Sequence, residues 1–340
     1  MKALLLAVVL LQSITDIYKS ANADFDAGKW AEAAAKYEQV LKEDSSHIPS
    51  RFNLAVCYTK TGKPEEAIST YRTLLDQNGT VYEAHVNLAL LLDQTGKQAE
   101  AGEQFEKALA LHPEDAQAEM NLGMFYLRAN NVDKAYSHLA NVVGKGLTSE
   151  ELFIALSDLE HTRKNESKSR EYLEKAIQLD PKNPKLFHQL AASYLDENNS
   201  AKAAPLLEQL TKLEPGNADY FFLLGRSYEQ LKSYPQALAN LQQALRIKSD
   251  YFEAYGLISA IFYAQEDWPR AAQALTRLIE LRPRDAVAHF VLATCLDKLG
   301  NIKEALVHYN KFSELDDGSN DARSFQARER ARTLERRLKK

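Results

Sequence analysis

The stretch ADYFFLLGRSYEQLKSYPQALANLQQALRIKSDY, residues 218–251, decides the fold. It holds two helix-length segments with a turn between them, and small residues at Gly225 and Ala237. Both small positions recur in steps of 34. One ladder reads Ala21, Ala55, Ala89, Gly123, Ser157, Ala191, Gly225, Ser259 and Ala293. The other reads Ala33, Ala67, Ala101, Ala135, Ser169, Ala203, Ala237, Ala271 and Ala305. The register runs from Ile14 to Ser319 without insertion or deletion. Repetition at such a period marks an array of supersecondary units, each burying its apolar face against its neighbours.

Within a unit the residues specify helix, turn and helix. Gly28, Gly62, Gly96 and Gly300 fall at the fifteenth position of their units, with Asn130 and Asn198 as substitutes. Gly and Asn enter the left-handed conformation at low cost, which is how many helices stop. Apolar residues keep helical spacing, as in Leu88, Leu91 and Leu92, then Phe105, Ala108 and Leu109. Pro113, Pro181, Pro215 and Pro283 follow helix ends and block continuation. The small ladders mark places where helices approach too closely for larger side chains.

The same residues resemble a known family. Unit four has Leu122-Gly123, Tyr126, Ala135 and Leu139. Unit six has Phe187, Leu190, Ala191, Tyr194, Ala203 and Pro215; unit seven has Phe221, Leu224-Gly225, Tyr228, Ala237, Leu241 and Ala244. This scheme is similar to the tetratricopeptide repeat, an aromatic followed by L-G-x-x-Y, an alanine-led second helix and a closing proline. The resemblance covers nine units: 14–47, 48–81, 82–115, 116–149, 150–183, 184–217, 218–251, 252–285 and 286–319. Unit five departs most, with Glu160 for the tyrosine, Lys164 for the glycine and Ser169 for the alanine. The resemblance implies an all-α, right-handed superhelical solenoid.

Charged residues make up 26% of the chain and apolar residues 45%, ordinary for a soluble protein. The net charge of −5 argues against a nucleic-acid binder that neutralises phosphates. Charge is uneven. Residues 320–340 hold eight Arg or Lys and three Asp or Glu, so that segment carries +5 and the remainder −10. Phe325, Ala331, Leu334 and Leu338 form a thin apolar stripe there, read as a basic C-terminal capping helix. A weak contact with an anionic surface is the sharper alternative.

At the other end, Lys2 and the apolar run Ala3 to Leu11 match the charged and apolar regions of a signal peptide over residues 1–13. An apolar helical extension packed on the first unit is the alternative. The run is too short to span a bilayer. A small-residue site at Ala21-Asn22-Ala23 would cut away most of the first helix, and Ala21 already belongs to the packing ladder. With no cysteine nearby, a bacterial lipid anchor is not expected. Export to a bacterial periplasm or envelope is the favoured expectation, and a cytoplasmic location the alternative. Cys57 and Cys295 share one buried-type phase, seven repeats apart, too far for a bridge within one chain. The sequons at Asn78, Asn165 and Asn198 fall at turns, where Asn and Ser are common anyway.

Catalytic patterns are missing from the sequence: there is no Gly-rich phosphate loop, no G-x-S-x-G, no H-E-x-x-H and no zinc-spaced cysteine pair. No enzyme activity and no cofactor are expected. Asp158, His161 and His188 would face one another in this repeat geometry and could hold a metal or sense pH, but chance placement is the plainer reading. By the resemblance, the first helix of each unit lines a concave groove. Its fifth positions include Phe52, Val86, Met120, Ile154, His188, Phe222 and Phe290. Its ninth and twelfth positions add Val56, Leu90, Met124, Leu127, Leu195 and Tyr263. A long apolar stripe on an open face marks a binding surface, and the thioethers of Met120 and Met124 suit varied ligands.

Chaperone-binding relatives resemble one another in a clamp for a C-terminal carboxylate. Its positions read Tyr18, Asn22, Asn53, Glu83 and Asn87 here; both asparagines match, and the three cations that would hold the charge are absent. The expected ligand is therefore a peptide or helical protein segment held by apolar anchors. The expected function is a protein-interaction scaffold for assembling or tethering an envelope complex. A recognition subunit of a separate enzyme is the alternative.

Overall fold

The computed structural model describes the backbone of residues 2–316 and 321–339 and the side chains of residues 14–316 and 322–339. Among the described residues every regular element is an α-helix. The chain divides into two compact units, Met1–Leu179 and Asp180–Lys340. The first contains α1 (Lys2–Asp26), α2 (Trp30–Glu43), α3 (Ile48–Lys60), α4 (Pro64–Gln77), α5 (Tyr82–Gln94), α6 (Gln98–Leu111), α7 (Ala116–Arg128), α8 (Val132–Gly144), α9 (Glu150–Thr162) and α10 (Glu166–Leu179). The second contains α11 (Pro184–Asp196), α12 (Ser200–Leu213), α13 (Ala218–Gln230), α14 (Tyr234–Ile247), α15 (Phe252–Ala264), α16 (Trp268–Leu281), α17 (Ala286–Lys298), α18 (Ile302–Leu315) and α19 (Asp321–Leu338). The candidate leader, residues 1–13, lies outside the residues whose side chains are described.

In both units consecutive helices pair into antiparallel hairpins, and each hairpin packs on the next. The fifteenth-position ladder is the turn. Gly28, Gly62, Gly96, Asn130, Asn198 and Gly300 all have positive φ there. So do Lys164 (61°), Lys232 (59°) and Glu266 (57°), which no local preference predicts. The tertiary repeat imposes the left-handed turn even where an ordinary side chain occupies it. Helix starts are fixed by side-chain caps: Asp115, Asn131, Ser149, Asn217 and Asp285 each accept a backbone N–H of the first turn.

The small ladders are the helix crossings. Ala33, Ala67, Ala101, Ala135, Ala203, Ala237, Ala271 and Ala305 are all fully buried. A Cβ added at Gly225 would lie 2.7 Å from Leu241 Cγ, and one at Gly123 would lie 2.6 Å from Leu139 Cδ2. The signature tyrosine has a second task. Tyr58 donates to Glu38 Oε1 at 2.6 Å, Tyr126 to Glu106 Oε1 at 2.6 Å, and Tyr228 to Glu208. Each bond ties a hairpin to the second helix of the one before it. Burial, then the neighbouring carboxylate, pushes the Tyr58 hydroxyl up to about 12, so it stays a donor.

Hairpin α9–α10 lacks this tie. Glu160 takes the tyrosine's place at 1% exposure, and Ala140 stands where the partner glutamate would be. Glu160 Oε1 has no hydrogen-bond partner; Arg163 Nη1 and Lys168 Nζ come only to 3.9 and 3.8 Å of its carboxylate. Ser157 and Ser169, substituting in both small ladders, hydrogen-bond to each other at 2.9 Å.

Cys57 and Cys295 are fully buried free thiols, one in each unit, and burial pushes both up to about 11. Helix α19 covers α18 with Ala327, Ala331 and Leu334, and its Arg330 reaches Asp297 of α17, with Nη2 at 2.9 Å from Oδ1. Phe325 and Leu338 do not join that stripe. The buried positions 324, 327, 331 and 334 follow a helical spacing that leaves residue 325 turned outward, and Phe325 is 69% exposed.

Candidate peptide-binding face

In the first unit, one side chain per repeat builds a row along the first helices. Val56 on α3, Leu90 on α5 and Met124 on α7 share one phase. Leu90 is 38% exposed, and Val56 and Met124 are half-buried. Val56 and Leu90 face a cleft of about 200 Å³ between α3 and α5, bordered also by Thr59, Asn87 and Gln94. Tyr71 forms part of its wall. Its hydroxyl accepts from Asn87 Nδ2 at 3.2 Å, and burial pushes it up to about 12. One repeat earlier, Asn53 Nδ2 donates to the Tyr37 hydroxyl at 3.0 Å, which donates to Asn22 Oδ1 at 2.7 Å.

The two clamp-matching asparagines are thus held by a tyrosine. Asn53, Asn87 and Asn121 stand 34 residues apart beside the apolar row, a polar ladder that the sequence reading did not extract. Its signal in the sequence is a fourth recurring phase of the 34-residue period.

The fifth positions behave differently. Phe52 packs edge-on against Tyr71, with ring centroids 6.0 Å apart, and Val86 and Ile154 are half-buried, as is Leu127 at a twelfth position. Met120 and Phe290 are each only 8% exposed, and Phe290 sits between the rings of Tyr309 and Phe312. Those two side chains serve packing. Phe52 and Phe290 lie against the second helix of their own hairpin, Phe52 on Tyr71 of α4 and Phe290 on Tyr309 and Phe312 of α18.

In the second unit the corresponding face is aromatic. Phe222 lies 4.9 Å from the ring of Tyr251, whose hydroxyl donates to Asp219 Oδ1 at 2.7 Å. Tyr263, 37% exposed, meets Trp268 edge-on at 5.2 Å. His188 is exposed with its ring 5.7 Å from Tyr220, and Leu195 is half-buried. Asp158 and His161 lie together on α9 of the first unit, where His161 Nδ1 pairs with Glu166 Oε1 at 2.9 Å. Among the described residues no three His, Cys, Asp or Glu side chains gather as a metal-binding group.

A larger cleft, of about 550 Å³, lies away from this face, where Arg72, Leu75, Gly79, His85, Gln104 and Lys107 meet. His85 is its buried floor: Nε2 lies 3.0 Å from the Gly79 carbonyl oxygen and Nδ1 2.7 Å from Gln104 Oε1. Nothing in the repeat pattern announces this cleft, which depends on how far apart α4 and α6 sit.

Three family models, each described as a tetratricopeptide repeat, match the chain. One covers residues 24–91 and 262–329, another 86–143 and 188–252, and the third 150–183. The chain belongs to the tetratricopeptide repeat family. Among solved structures it resembles the C-terminal part of a tetratricopeptide repeat protein from Cytophaga hutchinsonii. That match has 18% identity and a TM-score of 0.53, and covers 81% of this chain and 99% of the other. A tetratricopeptide repeat protein from Parabacteroides merdae matches at 18% identity and TM-score 0.50, covering 72% and 97%.

At such identities the likeness is one of fold, an all-α repeat solenoid. No curated protein sequence matches this chain. Tetratricopeptide repeats are in general non-catalytic, and the repeats of this chain support a protein-interaction scaffold. No helix among the described residues is long and apolar enough to cross a membrane.

Proposed function

We propose that this chain is a non-enzymatic scaffold of nine tetratricopeptide repeats, residues 14–319, that binds protein segments along the first-helix face. The observation that carries the reading is the partly open row of Val56, Leu90 and Met124 running beside the amides of Asn53 and Asn87. An apolar row fixes side-chain anchors at one per repeat, and the amides beside it are able to bond the peptide backbone between anchors. Phe222 and Tyr263 supply the anchors of the second unit. The segment so bound belongs to a partner in an envelope complex; the charged-then-apolar start, Lys2 to Leu11, supports export.

The test uses peptides selected from a random display library on the wild-type chain. Their affinity is then measured for the Leu90→Lys, Met124→Glu variant. Each apolar anchor contributes about 1–2 kcal/mol, so the double change should weaken binding by roughly a hundredfold or more while helicity is kept. Peptides that bind the variant as tightly as the wild type would refute the groove.

A further inference from the structure

We propose that the outer face of α19 is a docking surface for an anionic lipid bilayer. This goes beyond the groove and is independent of what the groove holds. The packed side of α19 is spent on α18 through Ala327, Ala331 and Leu334. An exposed strip of the helix carries Phe325, Arg328, Arg332 and Arg336, spaced by 3, 4 and 4 residues and therefore aligned, with Glu329 beside it. All four side chains are exposed, and Phe325, at 69%, is the most exposed large apolar side chain among the described residues. Arg332 pairs with Glu329 at 2.7 Å, while Arg328 and Arg336 have no ion pair among the described residues.

The helix is already formed and held by the Arg330–Asp297 contact, so docking requires no folding. A headgroup plane with hydrocarbon beneath it answers both chemistries of the strip: the guanidinium groups pair with lipid phosphates while the ring enters the interface. Charge elsewhere weighs against a nucleic acid. Residues 320–340 carry +5 and the remainder −10. That acidic remainder repels a polyanion, whereas the Phe325 ring gains from a partner with hydrocarbon beneath its negative charge.

The experiment is flotation of the full chain with phosphatidylcholine vesicles, with and without phosphatidylglycerol. Binding is expected only with phosphatidylglycerol and is lost at high salt. Each cation near an anionic surface is worth a factor of about five, so Arg328→Gln, Arg332→Gln, Arg336→Gln should weaken binding by roughly a hundredfold. Glutamine keeps the helix propensity, and an unchanged circular dichroism spectrum and melt show that α19 is intact. Phe325→Ser should weaken binding several-fold without altering its salt dependence. Equal binding to neutral vesicles, or equal binding by the triple variant, overturns the proposal. Capture of a duplex oligonucleotide without vesicle binding, or salt-sensitive self-association without it, overturns it too.

Discussion

Lys164, Lys232 and Glu266 hold the left-handed turn that glycine or asparagine holds in the other hairpins. A side chain with a Cβ is strained there, so Lys232→Gly or Glu266→Gly should stabilise the chain by about 1 kcal/mol each. A thermal melt would show it, and a lower midpoint would mean that the side chain has packing value of its own. Glu160 is the other misfit. Its buried carboxylate occupies a phase filled by Leu92 and Leu296 in other repeats, and one oxygen has no hydrogen bond. Glu160→Leu exchanges an ill-paired buried charge for apolar packing, a change often worth about 1–4 kcal/mol. Denaturant unfolding should move to higher concentration. Both misfits are visible in the sequence as departures from the repeat; their sign is not, because it depends on what surrounds them.

Hairpins are held at crossings and by polar ties, and the two kinds of contact fail differently. At the α13–α14 crossing, Gly225→Ala places a methyl group against Leu241, and a destabilisation of about 1–3 kcal/mol is expected. The α7–α8 hairpin carries a buried carboxylate network. Glu119 accepts from Lys145 Nζ at 2.6 Å and Asn141 Nδ2 at 3.2 Å, and pairs with His138 Nδ1 at 2.8 Å. Burial alone would raise the Glu119 carboxyl, but these hydrogen bonds outweigh it and hold it below the usual range. A folded-state value below the unfolded one means stability that is full above the unfolded value, about 4.3, and lost as pH falls through the folded one. Glu119→Gln should therefore lower the melting temperature at neutral pH and flatten its decline in acid. A parallel decline in both proteins would show that other carboxylates govern acid unfolding.

The whole molecule was legible to the extent that it repeats. Period, helix pairing and the buried ladders all follow from phases that recur every 34 residues, because equivalent positions meet equivalent neighbours. The proposed binding face was legible only as a set of phases. Which members stay open depends on side-chain lengths in adjacent helices, and that closed Met120 and Phe290 while leaving Leu90 and Tyr263 exposed. The same nearest-neighbour logic makes loss of α19 a local event. Deleting residues 321–340 should speed amide exchange in α17 and α18 and leave α3 to α6 unchanged; uniform acceleration would contradict it. The two free cysteines make this locality measurable. Cys57 and Cys295 are sealed, and burial suppresses their thiolates, so a thiol-reactive dye meets them only during an opening of the surrounding helices. One lies in each compact unit. Their two labelling rates are thus separate clocks, and the ratio between them ranks the units by the free energy of opening without any engineered cysteine.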